Sequence, residues 1–265
     1  MILVPLMCLA WGMPGAPVLI GGQRASFVVR DIRTPVFPDY RNNGFSQRTR
    51  QLDSGMQITV EVDNHPLNAR LRGRRPLDMP AHLAGLARRL DQAAQGRLVD
   101  QVEIIFHWMR NEIAYTDEGP AVVQDAESVL ARKSGNCVGF CNAAMYLISK
   151  LGVASRAVTG VAYKDTDSVK LKLEGLVLHR WIEVDYPDIG RVFCDPSGKI
   201  HFVEATYVVL AVHGVHDVAE GMRSALGGEI ELIALLDGMK HISNRNDIDG
   251  RISVRPNSLV LPQYP

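Results

Sequence analysis

Cysteine is scarce in this chain: four residues in 265 are too few to staple a disulfide-built scaffold. An excess charge of either sign is missing too. Lys plus Arg number 29 and Asp plus Glu number 29, so the basic surplus that normally meets nucleic-acid phosphates is absent. No segment repeats and none is of low complexity. Charged residues make up only 22% against 46% hydrophobic, which takes the chain out of the disordered regime. What remains is a folded enzyme or binding domain, with enough chain for one large domain or two small ones.

The first 22 residues carry no charged side chain, and Arg24 is the first. A membrane span needs about 20 apolar residues in a helix. Pro5, Gly12, Pro14, Gly15 and Pro17 interrupt this run, so no stable span is predicted. The run reads as an apolar leader or a signal with small residues at Ala10 and Gly12, although the usual basic n-region is missing. If residues 1–12 act as a signal the protein is exported to the periplasm or beyond. Otherwise it is cytoplasmic.

Residues 23–76 read as a β-rich segment, in which Met56, Ile58, Val60 and Val62 alternate with polar neighbours. Helical periodicity then takes over. Asp78 is placed to cap a helix bearing Leu83, Leu86, Ala87 and Leu90. Leu98, Val102, Ile105, Phe106, Met109 and Ile113 define a stronger one. Residues 125–132 predict a third helix. Residues 137–151 predict a fourth, with Cys141, Ala144, Met145 and Ile148 on one stripe and Gly152 as its stop. After Gly152 the period falls to two, predicting strands over 155–163, 176–185 and 191–195. Pro187 to Gly190 is the turn between the last two. More β signal lies at 202–212 and 252–254, and a helix is expected near 229–239. The domain plan is a leader over 1–22, a β-rich segment over 23–76, a catalytic core over 77–215 and an extension over 216–265. Helices followed by consecutive antiparallel strands predict an α+β fold.

A cysteine nucleophile works as a thiolate, so something must lower its pKa from about 8.5. A helix start does this, and Cys137 follows Ser134-Gly135-Asn136 at the head of the fourth helix. Such a thiol needs a base in reach and a third group to orient that base. His179 and Asp195 stand on the two strands of the predicted hairpin. A turn centred between residues 187 and 188 sets position 179 opposite 195 or 196. A turn centred one residue later sets it opposite 197 or 198. One residue of slip decides the pairing.

The run SGNCVGFCNAAMYLISKLGVASRAVTG, followed by HRWIEV and FCDPSG, resembles the transglutaminase-like cysteine protease family of the papain-type superfamily. In that family a Gly-x-Cys opens the central helix. A Gly-Val-x-x-Arg-x-Val-x-Gly strand, a His-x-Trp-x-Glu strand and an Asp-Pro-Ser corner complete the site. The resemblance covers roughly residues 80–200, including Asn111 to Tyr115 before the core. It implies a central nucleophile helix packed on an antiparallel sheet, with Cys137 as nucleophile, His179 as base and Asp195 as the orienting acid. It implies amide-bond acyl transfer on a peptide or protein substrate with no cofactor. Hydrolysis by a peptidase or amidase is the first reading. Transfer to an amine, as in a protein-glutamine transglutaminase, is the alternative, and a vestigial peptide-binding cleft is another.

This chain departs from the family pattern where Gly139 and Phe140 follow the nucleophile and where Cys194, beside Phe193, precedes the corner. No compact acidic loop carries over the calcium use of animal transglutaminases. Arylamine N-acetyltransferases share the Cys-His-Asp logic, but their nucleophile follows an early Arg-Gly-Gly run. Cys141 and Cys194 read as core residues. Cys137, Cys141 and His179 lack a clear fourth zinc ligand, so no metal is assigned. Backbone N–H groups at the Cys137 helix start are the expected oxyanion hole. Tyr115 reads equally as packing or as a further donor there. Trp181 reads as sheet packing, Arg156 as an ion-pair partner for Glu183, and His213, His216 and Asp217 as a solvated turn. Whether residues 164–174 gate the cleft is left open.

Overall fold

Four stretches of helical periodicity become four helices, each buried along the stripe its apolar residues define. The computed structural model describes residues 18–31, 37–116, 122–163, 170–172, 178–213 and 228–242. Helix α1 spans Ala84–Gln92 and α2 spans Leu98–Glu112. Helix α3 spans Ala126–Arg132 and α4 spans Cys137–Ser149. Leu86, Leu90, Val102, Ile105, Phe106 and Met109 are buried, as their spacing predicts. The start of α1 differs from the expectation. Asp78 does not cap it but sits at a left-handed φ of 41°. A 3-10 turn over Ala81–Leu83 follows Pro80, and no side chain caps that turn. Proline's fixed φ starts this turn without a cap.

Strands β1 (Val18–Arg30), β2 (Tyr40–Asn42), β3 (Phe45–Leu52) and β4 (Gly55–Asn64) come before the helices. Met56, Ile58, Val60 and Val62 on β4 are buried, which is the alternation read from the sequence. A two-residue parallel pair, β5 (Ala114–Tyr115) and β6 (Ser134–Gly135), ties the end of α2 to the approach of α4. After α4 come β7 (Ala154–Ala162), β8 (Lys170–Lys172), β9 (Leu178–Tyr186) and β10 (Gly190–Cys194). They are followed by β11 (Tyr207–Val212), β12 (Glu229–Asp237) and β13 (Lys240–Ile242).

Two sheets result. Four antiparallel strands run in the order β10-β9-β7-β11. Seven strands form the other sheet, in the order β2-β3-β4-β1-β12-β8 with β13 also on β1. One face of the four-stranded sheet (Ile182, Val184, Val192, Cys194) packs against α2 and α4. Its other face (Val158, Trp181, Phe193, Tyr207) packs against Phe27, Ile58 and Val60 of the larger sheet. The architecture is α+β, with the central helix on an antiparallel sheet as expected.

The expected helix near 229–239 is instead strand β12. Its Glu, Leu and Ala content favours helix locally. Pairing with β1 along Arg30↔Glu229 to Gln23↔Asp237 overrides that preference, since each residue satisfies its backbone on a ready sheet edge. Of the β signal at 202–212 only Tyr207–Val212 is strand. Residue 204 turns the chain, its carbonyl accepting from the Tyr207 N–H. The expected strand at 252–254, the residues His216 and Asp217, and most of 164–174 lie outside the described residues.

Candidate active site

The approach to α4 is held rigidly. Lys133 ends α3 in the left-handed region, with φ 57°, and turns the chain into β6. Asn136 then caps α4, and its Oδ1 accepts from Val138 N–H at 2.9 Å and Gly139 N–H at 3.3 Å. Phe140 N–H bonds the Asn136 carbonyl. The cap consumes two of the first-turn N–H groups that were expected to form an oxyanion hole. Cys137's own N–H has no intramolecular partner among the described residues. Gln124, not singled out in the sequence, braces this turn: its Oε1 accepts from Asn136 N–H at 3.2 Å, and its carbonyl accepts from Asn142 at 2.8 Å. Tyr115 packs on the same turn, its ring 5.6 Å from Phe140.

His179 and Asp195 come from the hairpin, and the register decides how they meet. Cys194 stands opposite Ile182, so the turn is centred on Asp188 and the same register sets position 195 opposite Trp181. Position 179 would face 197, one of the two partners that the later turn centre allows. Residues 179, 181 and 195 therefore share one sheet face, and Asp195 reaches His179 along a diagonal. His179 Nε2 lies 2.7 Å from Asp195 Oδ2. The ladder stops at Cys194 because the chain turns at Asp195-Pro196-Ser197-Gly198, closed by Gly198 N–H on the Asp195 carbonyl.

That stop opens a docking edge for the thiol. Continued in register, position 196 would stand opposite Arg180, but Pro196 has no N–H to give. Arg180's backbone bonds sulfur instead. Its N–H donates to Cys137 Sγ, and its carbonyl accepts from Cys141 Sγ at 3.3 Å. Cys137 is therefore held edge-on to β9. It also hydrogen-bonds His179. With Nε2 committed to Asp195, the ring nitrogen left for the thiol is Nδ1.

The carboxylate of Asp195 is saturated. Oδ1 accepts from Ser197 N–H at 2.9 Å and Ser197 Oγ–H at 2.8 Å. Oδ2 accepts from His179 and from Tyr207 O–H at 2.8 Å. Tyr207 is buried and edge-on to both His179 and Trp181. Trp181, fully buried, stacks on His179 at 6.2 Å between ring centres. Nothing in the spacing marked Tyr207, an aromatic in an apolar strand. An aromatic lining up with the His-x-Trp face was the only available signal.

The electrostatics follow from these contacts. Burial alone pushes the Cys137 thiol up, but the hydrogen bond and charge of His179, with the Arg180 N–H, bring it below its ordinary value. Burial pulls His179 down, yet the Asp195 charge and hydrogen bond, with Cys137, raise it to about 9. Asp195 is raised by burial and lowered further by His179, Tyr207 and Ser197, ending well below the ordinary carboxylate range. Cys141 and Cys194 are buried and pushed up by that burial, so they are poor thiolates. Both lie in the core, as the sequence suggested.

Arg156 pairs with Glu183, also as read from the sequence. His213 bonds Thr159 Oγ1 at 3.2 Å, away from the three. Among the described residues no group of three or more His, Cys, Asp and Glu side chains is placed to hold a metal ion. None of their helices is long and apolar enough to cross a membrane.

No curated protein is similar enough in sequence to match. Among solved structures, a candidate cysteine protease from Cytophaga hutchinsonii is 13% identical, the match covering 92% of this chain and 96% of that one, with a TM-score of 0.42. The periplasmic domain of TgpA from Pseudomonas aeruginosa, bound to ethylmercury, is 14% identical over 68% of this chain and 90% of that one, with a TM-score of 0.38. The family model that matches is the core of the transglutaminase-like superfamily, over a span that contains Cys137, His179 and Asp195. That match spans residues 84–196 of this chain.

Proposed function

We propose that the protein is a cysteine-dependent acyl-transfer enzyme acting at amide bonds of peptides or proteins, with hydrolysis as its reaction. The observation that supports this reading best is the continuous relay from Cys137 through His179 to Asp195, in which every hydrogen-bonding position of the carboxylate is used. Cys137 is the nucleophile, His179 the base and acid, and Asp195 the group that orients the imidazole.

The roles follow from the proton positions. Cys137 Sγ, as thiolate, attacks the amide carbon, a C–S bond forms and the carbonyl electrons move to oxygen. The Cys137 N–H faces that oxyanion, while Asn136 keeps the next two N–H groups for the helix. His179 Nδ1–H protonates the leaving nitrogen as the C–N bond breaks, leaving a thioester. Neutral His179 then takes a proton from water, which attacks the thioester, and Cys137 leaves as thiolate with the proton back on the ring. Asp195 stays ionised throughout and supports the imidazolium.

The test is the pH profile of iodoacetamide alkylation, mapped by mass spectrometry, on wild type and His179→Ala. Labelling confined to Cys137 and rapid below pH 7, lost in the variant, is the expected result. Labelling that rises only near the free-thiol pKa of about 8.5 and ignores the substitution would overturn the reading.

A further inference from the structure

Asp195 Oδ2 is shared by two donors from different strands: His179 Nε2 at 2.7 Å from β9 and Tyr207 O–H at 2.8 Å from β11. We propose that Tyr207 is a positioning residue of the site, whose phenol sets how firmly the Asp195 carboxylate holds the His179 imidazole. The inference rests on the acyl-transfer reading above, because only there does the firmness of that hold matter.

Three observations carry it. Tyr207 is buried, and its hydroxyl donates to the oxygen that His179 uses rather than to the one that Ser197 clamps. The ring meets His179 edge-on at 5.8 Å and Trp181 edge-on at 5.3 Å, so the phenol cannot swing away without disturbing the imidazole. The site is closed to water on this side, with His179 and Asp195 both buried, so no solvent donor replaces a lost hydroxyl.

The consequence has a definite sign. A carboxylate oxygen accepting two hydrogen bonds presents less free negative charge to each donor than an oxygen accepting one. Removing the Tyr207 hydroxyl leaves Ser197 still clamping Oδ1, so the carboxylate keeps its place and gives Oδ2 wholly to His179. The imidazolium is then held more tightly. It gives its proton to the leaving nitrogen less readily, which lowers turnover more than substrate binding.

The other groups that act on this cluster are Cys137 and Cys141 from α4, Arg180 and Cys194 from the two hairpin strands, Arg110 from α2 and Glu204 before β11. Tyr207→Phe alters none of them.

The experiment is a side-chain ¹⁵N NMR titration of His179 in wild type and Tyr207→Phe, with His179→Gln used for assignment and thermal unfolding as a check on folding. The Cys137 alkylation profile is recorded on the same samples. The expected result is a His179 midpoint that moves upward in Tyr207→Phe by about half to one pH unit, the size a single neutral hydrogen bond supports. Ser197→Ala removes only the Oγ–H bond and keeps the backbone N–H on Oδ1, the oxygen His179 does not use, so it moves the midpoint less. An unchanged His179 midpoint in a folded Tyr207→Phe whose Cys137 still alkylates rapidly below pH 7 overturns the Tyr207 inference alone. Wild-type Cys137 that alkylates only near the free-thiol pKa overturns the acyl-transfer reading and this inference with it. If Tyr207→Phe does not fold, a site-specific fluorotyrosine at position 207, which keeps the ring and changes only the donor strength of its hydroxyl, decides with the same titration, and an unchanged midpoint there overturns the inference.

Discussion

Arg156 and Glu183 stand opposite each other on β7 and β9, and the guanidinium closes on the buried carboxylate with Nε 2.7 Å from Oε2. The same carboxylate accepts from Tyr40 O–H at 2.6 Å and Asn42 Nδ2 at 2.9 Å, both on β2. Glu183 thus joins the two sheets on the face that carries His179 and Trp181. Its side chain is fully buried, while that of Arg156 is 24% exposed. The two halves of the pair should therefore fail unequally. Arg156→Met strands a buried charge and is expected to cost about 3–5 kcal/mol. Glu183→Gln leaves a cation that can reach water and keeps part of the hydrogen bonding, so about 1–3 kcal/mol is expected. Urea unfolding of both variants checks the order, and a larger loss in Glu183→Gln would contradict it.

Stability should depend on pH through His179 and Asp195 with opposite signs at the two ends. His179 rises on folding from 6.5 to about 9, so its contribution is complete below pH 6.5 and is lost as pH climbs through about 9. Asp195 falls below its ordinary 3.8, so its contribution is complete above that value and is lost as pH drops toward its lower folded value. The pair contributes most between pH 3.8 and 6.5. Unfolding free energies of wild type and Asp195→Asn measured at pH 6 and pH 10 should differ more at pH 6. Equal differences at the two values would remove the ion pair from the account.

Gly160 faces His179 across the β7–β9 ladder. A methyl group there would collide with the Val208 carbonyl and come within 2.5 Å of the Trp181 ring. Trp181 is the ring that stacks on His179. Gly160→Ala is expected to destabilise the fold by about 1–3 kcal/mol, the usual cost of overpacking. It should also slow Cys137 alkylation below pH 7 several-fold, by tilting the imidazole. A destabilised variant with unchanged alkylation would mean that the indole moves without carrying His179.

The parts of this site that sequence reasoning reached are those set by local periodicity. The stripes of α2 and α4 and the turn at Pro187 to Gly190 follow from spacing within one element or one hairpin, whereas grouping Cys137 with His179 and Asp195 rests on the family resemblance as well. What it left undecided was the registration of that hairpin. The turn centre, Asp188, falls halfway between the two centres considered, and only the ladder shows that Asp195 approaches His179 diagonally. Asn136's use of two first-turn N–H groups depends on a side-chain rotamer, which spacing does not encode. Tyr207 and β12 escaped for a different reason. Each takes its place from a partner strand distant in the chain, β12 from β1 some two hundred residues earlier, and local composition says nothing of such a partner. In β12 that composition pointed to the wrong element.

The larger sheet joins strands that precede residues 84–196, strands that follow them and β8 from within, with β1 between β4 and β12. That sheet is also the cover over Trp181, Phe193 and Tyr207. During synthesis the ribosome releases Cys137, His179 and Asp195 before strand β12 of that cover. The long loop between β1 and β12 closes late and against chain entropy. The surroundings of Cys137, His179 and Asp195 are thus complete only when the chain beyond residue 228 has joined the sheet.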